Sequence, residues 1–464
     1  MEKFDLVVIG GGPGGYPAAI RGAQLGASVA LVEKEFMGGT CLNWGCIPTK
    51  LLIACSDAYE TIRHAEAFGV RASDVQIDYA AMIARKNAVV QQLRTGIQQL
   101  LKANGVRVFR GTGSFLTRNM LAIAGAEGET RIQAGKTIIA TGSVSAFPRF
   151  LPKSERIVES RAFLDLAALP RSIIVMGGGV IGCEFACMAA QLGAEVTIVE
   201  MLEEILAPLD TDVRRELKRH MESKLKIRIL TGKPLEAVTV EGDRVRGSVD
   251  DQKVEADLLL VSVGRVPATD ALNVERIGLK RPTNGQIPVD EFCATRIAGV
   301  FAIGDATGGL QLAHRATSQG VTAAENACSA TRRKVETVIP SCYFTSPEAA
   351  SAGLTEQDAK AQGIAYKTGK FPFAALGKAV STGHTLGFVK WVADETTDRL
   401  IGAHVVGAHA TDLIAEAALA IRSEHTAEEF GRTVHAHPTL SEAWVEAAHG
   451  VHGMCIHMAP KRTA

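Results

Sequence analysis

The sequence predicts an α/β protein in which two nucleotide-binding α/β units precede a C-terminal α+β segment. Two stretches, residues 6–34 and 172–200, predict the units, because each runs as buried strand, glycine-rich turn, helix and second strand. A change of pattern at about residue 338 predicts the α+β segment. From there, strands with alternating apolar residues are followed by helical runs near residues 411–422 and 439–449, without a glycine-rich turn.

Both α/β units carry the spacing G-x-G-x-x-G and end their second strand on an acid. The glycines are Gly10, Gly12 and Gly15 in the first unit and Gly177, Gly179 and Gly182 in the second. Glu33 and Glu200 each stand 21 residues beyond the middle glycine. Such glycines let the backbone approach a pyrophosphate, and the acid accepts hydrogen bonds from a ribose. We therefore predict two Rossmann-like dinucleotide sites, and hence electron transfer between two dinucleotides.

A pair of cysteines follows the first G-x-G-x-x-G fingerprint, residues 10–15. Cys41 and Cys46 lie in GGTCLNWGCIPTK, residues 38–50, and the four residues between them form a loop that an oxidised pair can span. Pro48 predicts the start of a helix, which would place both sulfurs near a positive helix N-terminus and lower their thiol pKa. The pattern favours a redox-active pair, with two unpaired cysteines in a turn as the alternative.

Further segments complete the nucleotide-binding part. A helical pattern between residues 78 and 104 ends at a glycine stop signal. KTIIATGS, residues 136–143, and GVFAIGDAT, residues 299–307, predict short buried strands that end in turns. Asp305 stands at the carboxyl end of its strand, where open α/β sheets contact their ligands, or else it caps the helix that follows.

Composition argues against several classes of function. Lys and Arg number 50, and so do Asp and Glu, so we expect neither nucleic acid nor an anionic membrane surface as a partner. The start MEKFDLVVIG lacks the apolar region of a signal peptide, and no apolar stretch reaches the length of a membrane span. Nine scattered cysteines favour reduced thiols in a cytoplasmic protein. The histidines of the C-terminal third lack convincing ligand spacing, so we predict no metal site.

The motifs together resemble those of the pyridine nucleotide–disulphide oxidoreductases over essentially the whole chain. They are GGGPGG with Glu33, GGTCLNWGCIPTK, ATGS, GGGVIGCE with Glu200, SVGRVP, AIGDA and HAHPTLSE. The resemblance implies a first part of an FAD domain at residues 1–150, an NAD domain at 151–270, a central domain at 271–337 that completes the FAD site, and a dimerisation domain at 338–464. It implies a flavoprotein that oxidises protein-bound dihydrolipoamide to lipoamide and passes electrons through the Cys41–Cys46 disulphide and FAD to NAD⁺.

The resemblance also assigns roles to individual residues. Cys46 matches the sulfur that faces the flavin, Cys41 the sulfur that exchanges with substrate, and Lys50 the lysine near the flavin, with Glu184 as its acidic partner. The FAD-contacting positions are Gly10, Gly12, Gly14, Gly15, Glu33, Lys34, Gly39, Thr40, Cys41, Lys50, Gly113, Thr141, Gly142, Ser143, Asp305, Ala313 and His314. The NAD-contacting positions are Gly177, Gly179, Val180, Ile181, Gly182, Glu200, Leu235 and Gly264.

By the same resemblance, His437 matches the active-site base and Glu442 the carboxylate that orients it. A histidine suits the deprotonation of a dithiol, because general-base efficiency is highest when the pKa is near the working pH. A carboxylate behind the ring fixes its tautomer and stabilises the imidazolium. His435 is the competing base, and we favour His437 because we expect His435 to lack an acid at matching spacing.

The partners implied by the resemblance are a second copy of the chain and a lipoyl carrier. In a homodimer with composite active sites, His437 would act on the disulphide of the partner subunit. The carrier would be the lipoyl domain of a 2-oxo acid dehydrogenase acyltransferase or the carrier protein of glycine cleavage.

Related and unrelated classes remain as alternatives. Glutathione-type reductases use NADPH, and the acidic stretch that begins at Glu200 would repel the 2′-phosphate of that coenzyme. Mercuric reductases use a pair of cysteines near the C-terminus, whereas this chain has a single cysteine there, Cys455. A flavin-bearing scaffold without turnover would need a broken redox centre. Trp44 and Thr49 depart from the commoner family pattern, since a small aliphatic residue and a serine are frequent there. Trp44 would narrow access to the disulphide.

Overall fold

A computed structural model describes residues 1–280 and 283–459. They form two compact units. The first consists of Met1–Leu151, Val158–Leu169 and Ser262–Glu336, and the second of Pro152–Ile157, Pro170–Val261 and the described residues from Thr337 onward. Residues 158–169 and 262–270, which we predict within the NAD domain, belong to the first unit. The division into four domains remains a prediction.

The elements of the described residues follow in chain order. The strands are β1 Glu2–Ile9, β2 Val29–Glu33, β3 Arg107–Arg110, β4 Thr112–Thr117, β5 Met120–Gly125, β6 Gly128–Ile139, β7 Ser143–Ser145, β8 Ile157–Glu159, β9 Ser172–Met176, β10 Glu195–Glu200, β11 Arg228–Thr231, β12 Glu236–Glu241, β13 Arg244–Val249, β14 Gln252–Ala256, β15 Leu258–Val261, β16 Arg265–Pro267, β17 Val300–Ala302, β18 Ser341–Tyr343, β19 Ala349–Gly353, β20 Tyr366–Pro372, β21 Phe388–Asp394 and β22 Leu400–Val406. The α-helices are α1 Gly15–Gln24, α2 Gly39–Trp44, α3 Cys46–Arg63, α4 Tyr79–Ala103, α5 Ser160–Phe163, α6 Val180–Gln191, α7 Thr211–Ser223, α8 Ala313–Cys328, α9 Glu356–Ala361, α10 Gly377–Ser381, α11 Ala410–Arg422, α12 Ala427–Gly431 and α13 Glu442–Val451.

The first unit is built on a seven-stranded sheet. Its strand order is β3-β2-β1-β6-β5-β4, and β17 also pairs with β6. Five of its strands run parallel, namely β1, β2, β3, β6 and β17. Val8 of β1 lies opposite both Leu31 of β2 and Ile138 of β6. These three residues are fully buried with residues of α1, α4 and α8, which explains the continuous apolar runs of the parallel strands. The predicted strands that end at ATGS and precede GDAT are confirmed as β6 and β17.

The helix predicted between residues 78 and 104 is confirmed as α4. Asp78 caps it, because its carboxylate accepts a hydrogen bond from the Ala81 N–H at 2.9 Å. Gly105, with φ of 70°, follows its end and is the stop signal that the sequence indicates.

The second unit contains the second glycine turn and the C-terminal segment. The strands β11-β10-β9-β15 form a parallel sheet, and α6 follows the glycine turn at the end of β9. In the C-terminal segment, β18-β19-β22-β21-β20 form an antiparallel sheet. Helices α11 and α13 pack on it around Trp391 and Trp444, and the Trp391 indole N–H donates to the Trp444 carbonyl at 3.0 Å. The predicted fold class, with its C-terminal α+β domain, is confirmed.

Among the described residues, no helix is both long and apolar enough to cross a membrane.

Candidate active site

The first glycine turn requires glycine at both of its ends. At Gly10 the φ of 108° lies in the left-handed region, and a Cβ there would be 2.2 Å from the Ala140 carbonyl oxygen. A Cβ on Gly15 would be 1.8 Å from the Gly10 carbonyl oxygen. Helix α1 begins at Gly15, so the positive end of its dipole faces the turn, where a pyrophosphate is bound in such folds.

The acids that follow the two fingerprints are held in the same way. Glu33 accepts hydrogen bonds from the Gly11 N–H at 2.7 Å and from the Glu35 N–H at 2.8 Å. Glu200 accepts them from the Gly178 N–H at 2.6 Å and the Leu202 N–H at 2.8 Å. Each carboxylate oxygen keeps a second acceptor site, so both acids remain able to bind a ribose hydroxyl.

The segments ATGS and GDAT meet at the carboxyl ends of adjacent parallel strands. The Ser143 hydroxyl donates to the Asp305 carboxylate at 2.5 Å. Asp305 lies in a short 3-10 turn, Gly304–Thr307, and the N-cap of α8 is Leu312. The alternative that Asp305 caps the next helix is therefore wrong, and its carboxylate faces the ligand edge of the sheet.

Arg265 joins these segments to the cysteine segment, and the sequence analysis missed it. Its guanidinium donates to the Ser143 hydroxyl and carbonyl, both at 2.7 Å, and to the Thr40 hydroxyl at 3.4 Å. Its Nε lies 4.0 Å from Asp305. Burial lowers the pKa of Arg265, although Asp305 and Glu159 favour its charge. The signal in the sequence is an arginine directly after the glycine of SVGRVP, in an otherwise apolar segment.

Further predicted FAD positions also belong to the first unit, and the environment of Thr141 fits a bound ligand. The Thr141 hydroxyl is buried and, among the described residues, has no hydrogen-bond partner, so it requires one that a ligand can supply. Gly142 has a φ of 67°, and a Cβ there would meet open space. Ala313 and His314 open α8, and Gly113 lies in β4 against Ile9.

Glycines also bring the cysteine segment against the first fingerprint. The Gly38 N–H donates to the Gly11 carbonyl at 2.8 Å. Gly39, the first residue of α2, has a φ of 56°, and a Cβ there would be 2.7 Å from the Gly12 Cα. Cys41 is the third residue of α2, and Cys46 is the first residue of α3, which begins two residues before Pro48.

The two cysteines are thiols in contact, and the expected lowering of both thiol pKa values is wrong for Cys41. The hydrogen bond to Cys46 raises the pKa of Cys41, and burial and the charge of Cys46 act in the same direction, whereas the nearby Lys50 opposes them. Two thiols this close share one charge, because a second thiolate would be repelled by the first. Lys50 lies one turn after Cys46 on α3.

In the second unit, most of the predicted NAD positions belong to the second glycine turn and to the start of α6. Val180 and Ile181 open α6, and Leu235 is buried. Glu184 lies in the same helix with 4% of its surface exposed, and it accepts a hydrogen bond from the Phe344 N–H at 3.0 Å. Gly264, in the first unit, has a φ of 115°.

The predicted base and its orienting acid are in contact. Nδ1 of His437 lies 2.9 Å from Oε1 of Glu442, and the Thr439 N–H donates to the other carboxylate oxygen at 2.8 Å. Burial alone would raise the pKa of Glu442, but the Thr439 N–H and the His437 ring hold it below its ordinary value. Helix α13, Glu442–Val451, confirms the helical run predicted near residues 439–449 but begins three residues later, at Glu442. The His437 side chain is 77% exposed, so its Nε2 is open to a substrate.

The expectation that His435 lacks an acidic partner is wrong. Its Nε2 lies 2.7 Å from Glu416, a residue of α11 that the sequence does not connect to it. However, the His435 side chain is only 7% exposed, and its ring packs against Phe430. His435 therefore belongs to the packing of the C-terminal domain, whereas His437 faces outward.

Within the described ranges, no group of His, Cys, Asp and Glu residues is arranged to hold a metal ion. Cys183 and Cys187 are buried and pack as small apolar residues. Cys328 is half-buried.

Two family profiles match the chain in succession. Residues 4–320 match the family described as pyridine nucleotide-disulphide oxidoreductase, and residues 339–448 match the dimerisation domain of that description.

Curated relatives and a solved structure show the same similarity. The chain is 44% identical over 461 residues to dihydrolipoyl dehydrogenase of Chlamydia pneumoniae, with 99% of each chain covered. It is 41% identical over 479 residues to dihydrolipoyl dehydrogenase of Bacillus subtilis, which covers 98% of this chain and 99% of the relative. The crystal structure of LpdA from Mycobacterium tuberculosis has a TM-score of 0.91 at 28% identity, covering 97% of this chain and 99% of that chain.

Replacing Gly39 tests whether the glycine contact forms the FAD site. In Gly39→Ala, the added Cβ must displace Gly12, so we expect the purified protein to lose most of its flavin absorbance. Gly69→Ala is the matched control, because Gly69 also has a positive φ, of 78°, but faces open space. Equal flavin content in both variants would mean that the close approach is not needed for FAD binding.

Coenzyme choice tests the role of Glu200. Since its carboxylate accepts hydrogen bonds and would repel a 2′-phosphate, NAD should outperform NADP by orders of magnitude in steady-state assays. Glu200→Ala should raise the apparent KM for NAD and leave flavin reduction by a dithiol unchanged, whereas the exposed Glu195→Ala should alter neither. Equal efficiency with both coenzymes in the unmodified protein would end the assignment to NAD.

Proposed function

We propose that this chain, which belongs to the pyridine nucleotide–disulphide oxidoreductase family, oxidises protein-bound dihydrolipoamide to lipoamide and delivers the electrons to NAD⁺. It is an FAD- and NAD-dependent oxidoreductase. The observation that carries the proposal is the position of the cysteine pair. Helix α2, which carries Cys41, begins against Gly12, and Cys46 contacts Cys41, so the two thiols and the first dinucleotide turn lie side by side in one compact unit.

Bound FAD supplies the two-electron chemistry that links the cysteine pair to the nicotinamide dinucleotide. The residues of the chain carry out the thiol exchange. Nε2 of His437 accepts a proton from the substrate dithiol, and the thiolate attacks the Cys41 sulfur of the oxidised pair. The Cys41–Cys46 bond breaks, a mixed disulphide forms, and Cys46 leaves as a thiolate.

The second substrate thiol completes the exchange. It loses its proton and attacks the substrate sulfur that is bound to Cys41, so lipoamide closes and Cys41 leaves. Cys41 takes up one proton, His437 keeps the other, and the cysteine pair has gained two electrons. The raised pKa of Cys41 fits this final state, because it leaves the single negative charge of the pair on Cys46.

Glu442 has a supporting role in this reaction. An ionised carboxylate only accepts hydrogen bonds, so its contact with His437 assigns the proton to Nδ1 and leaves Nε2 free to act as the base. The imidazolium that forms is then stabilised by the negative charge of Glu442.

The protein is a homodimer of the family type, since its residues 339–448 match the dimerisation domain. The composite active site remains part of the proposal, in which His437 serves the cysteine pair of the partner subunit. The further partner is a lipoyl carrier of a 2-oxo acid dehydrogenase complex or of glycine cleavage. The scattered cysteines favour the cytoplasm as the location.

The relatives weigh against the rival classes. Both curated relatives described above are dihydrolipoyl dehydrogenases and match over nearly their whole length. The contact of His437 with Glu442 also separates the chain from reductases that lack a histidine base. The cysteine pair and the base are both in place, so a scaffold without turnover is disfavoured.

Removing the base tests the proposed chemistry. His437→Gln should slow dihydrolipoamide oxidation by roughly 10²- to 10⁴-fold, the usual range for a positioned proton-transfer group. NADH-driven reduction of an artificial acceptor, which bypasses the cysteines, should survive. His435→Gln is the matched control and should affect stability more than rate, because that ring is buried. Equal loss of both activities in His437→Gln would make His437 a structural residue.

Mixed dimers test the composite site. A dimer of one Cys46→Ser and one His437→Gln subunit has one intact site if the histidine acts on the partner subunit, and none otherwise. Reassociation of the two inactive homodimers should therefore restore roughly a quarter of the activity, since half of the dimers are mixed and each has one working site. No recovery, with mixed dimers demonstrated by mass spectrometry, would place the base in its own subunit.

A further inference from the structure

Helix α2, which carries Cys41, depends on contacts from outside the helix. It has six residues, and its single buried side chain is that of Leu42. Its N-cap, Gly38, has no side chain to cap the free N–H groups. Helices this short are not stable alone, so the position of Cys41 depends on the glycine contacts at the start of α2 and also on what holds its far end, at Asn43 and Trp44.

Asn43 ties this far end to α4 and to the turn before α2. Its amide N–H₂ donates to the Met37 carbonyl at 3.0 Å and to the Gly39 carbonyl at 2.8 Å. Its oxygen accepts a hydrogen bond from the Arg94 guanidinium at 2.9 Å. The Arg94 guanidinium also lies 3.9 Å from the centre of the Phe36 ring.

Trp44, at the same end of α2, contacts one cationic and one aromatic side chain. The Arg161 guanidinium lies 3.9 Å from the centre of the indole, and the Phe36 ring meets the indole edge-on at 6.4 Å. Arg161 also forms an ion pair with Glu35 at 3.3 Å. The four side chains Arg94, Phe36, Trp44 and Arg161 thus follow one another as cation, ring, ring and cation, so that each guanidinium faces the negative face of an aromatic ring.

The segment that supplies Arg161 is itself anchored to α4. The buried Lys86 ammonium donates to the Leu164 carbonyl at 2.6 Å and to the Asp165 carboxylate at 2.9 Å. Both aromatic and cationic neighbours of Trp44 are therefore connected to the long helix α4. Phe36 contacts Arg94 of α4, and the segment that carries Arg161 is bound by Lys86 of α4. The indole is held between fixed neighbours.

Trp44 follows Cys41 by three residues on the same helix, so the two side chains are neighbours on its surface. We propose that Trp44, stacked under Arg161, is a positioning residue that holds Cys41 for thiol exchange with the substrate. The inference rests on the proposed function, in which Cys41 is the exchanging sulfur.

The test removes the indole and follows two properties that should change in opposite directions. In Trp44→Ala, dihydrolipoamide oxidation should fall by about ten- to hundredfold, chiefly in kcat, because a small misplacement of a reacting atom costs that much. Alkylation of Cys41 by iodoacetamide in the dithiol-reduced, flavin-loaded protein, located by mass spectrometry, should become faster, since the half-buried sulfur is released. NADH-driven reduction of ferricyanide should be retained.

Conservative and control variants exclude a general loss of stability. Trp44→Phe should restore most of the rate, because a phenyl ring also presents a face to Arg161, and Arg161→Lys should behave as a weaker Trp44→Ala, because an ammonium does not stack as a planar guanidinium does. Arg131→Ala is the matched control for Arg161, since Arg131 forms an exposed ion pair with Glu129 elsewhere in the unit. It should change neither property.

Two results would overturn the inference. The first is a Trp44→Ala protein that oxidises dihydrolipoamide at the unmodified rate with unchanged alkylation of Cys41. The second result applies if the Trp44→Ala protein does not fold. In that case, the inference is overturned if Arg161→Lys and Arg161→Ala both oxidise dihydrolipoamide at the unmodified rate and show an unchanged rate of Cys41 alkylation. Failure of the proposed function would look different, because the unmodified protein would then not oxidise dihydrolipoamide, while the alkylation of Cys41 would still respond to Trp44.

Discussion

The close approach of two glycines, Gly12 and Gly39, is the constraint on which the rest of the site depends. No side chain fits between them, since a Cβ on Gly39 would lie 2.7 Å from the Gly12 Cα. The contact brings the start of α2, the helix that carries Cys41, to the dinucleotide turn, and the hydrogen bond from the Gly38 N–H to the Gly11 carbonyl holds the two segments together. Chemistry between a dithiol and a bound dinucleotide requires such proximity, and the backbone provides it without using a functional side chain.

Hydrogen bonds to carboxylates organise the other parts of the site in a common way. Glu33 and Glu200 each accept two backbone N–H groups at the ends of equivalent strands, and Glu442 accepts one from Thr439 and one from the His437 ring. A carboxylate that is held by backbone groups has little freedom to rotate, so it presents a fixed acceptor to a ribose or fixes the tautomer of a histidine. The same local chemistry therefore serves cofactor binding in two places and proton transfer in a third.

Local patterns predicted most of the fold and the positions of the motifs, whereas long-range contacts escaped prediction. The glycine turns, helix α4 and the antiparallel C-terminal strands follow from periodicity and turn residues, which act over short distances in sequence. The contact of His435 with Glu416 and those of Arg265 with Thr40 and Ser143 join residues far apart in sequence, so no spacing rule reveals them. The pKa of Cys41 escapes prediction for a related reason, because the helix-terminus argument considers each thiol alone and leaves out the hydrogen bond to Cys46, the burial of Cys41 and the charge of Cys46.

The central claim is that the Cys41–Cys46 pair lies between the substrate dithiol and the flavin. Anaerobic titration of the flavin-loaded protein with dihydrolipoamide, followed by absorbance, tests it most directly. The account predicts a long-wavelength charge-transfer band from the Cys46 thiolate beside the flavin after addition of two electrons, as required for one cysteine pair. Cys41→Ser should show the band without any dithiol, and Cys46→Ser should never show it. A band of equal strength in Cys46→Ser, or direct bleaching of the flavin by dithiol in a protein that lacks both cysteines, would contradict the account.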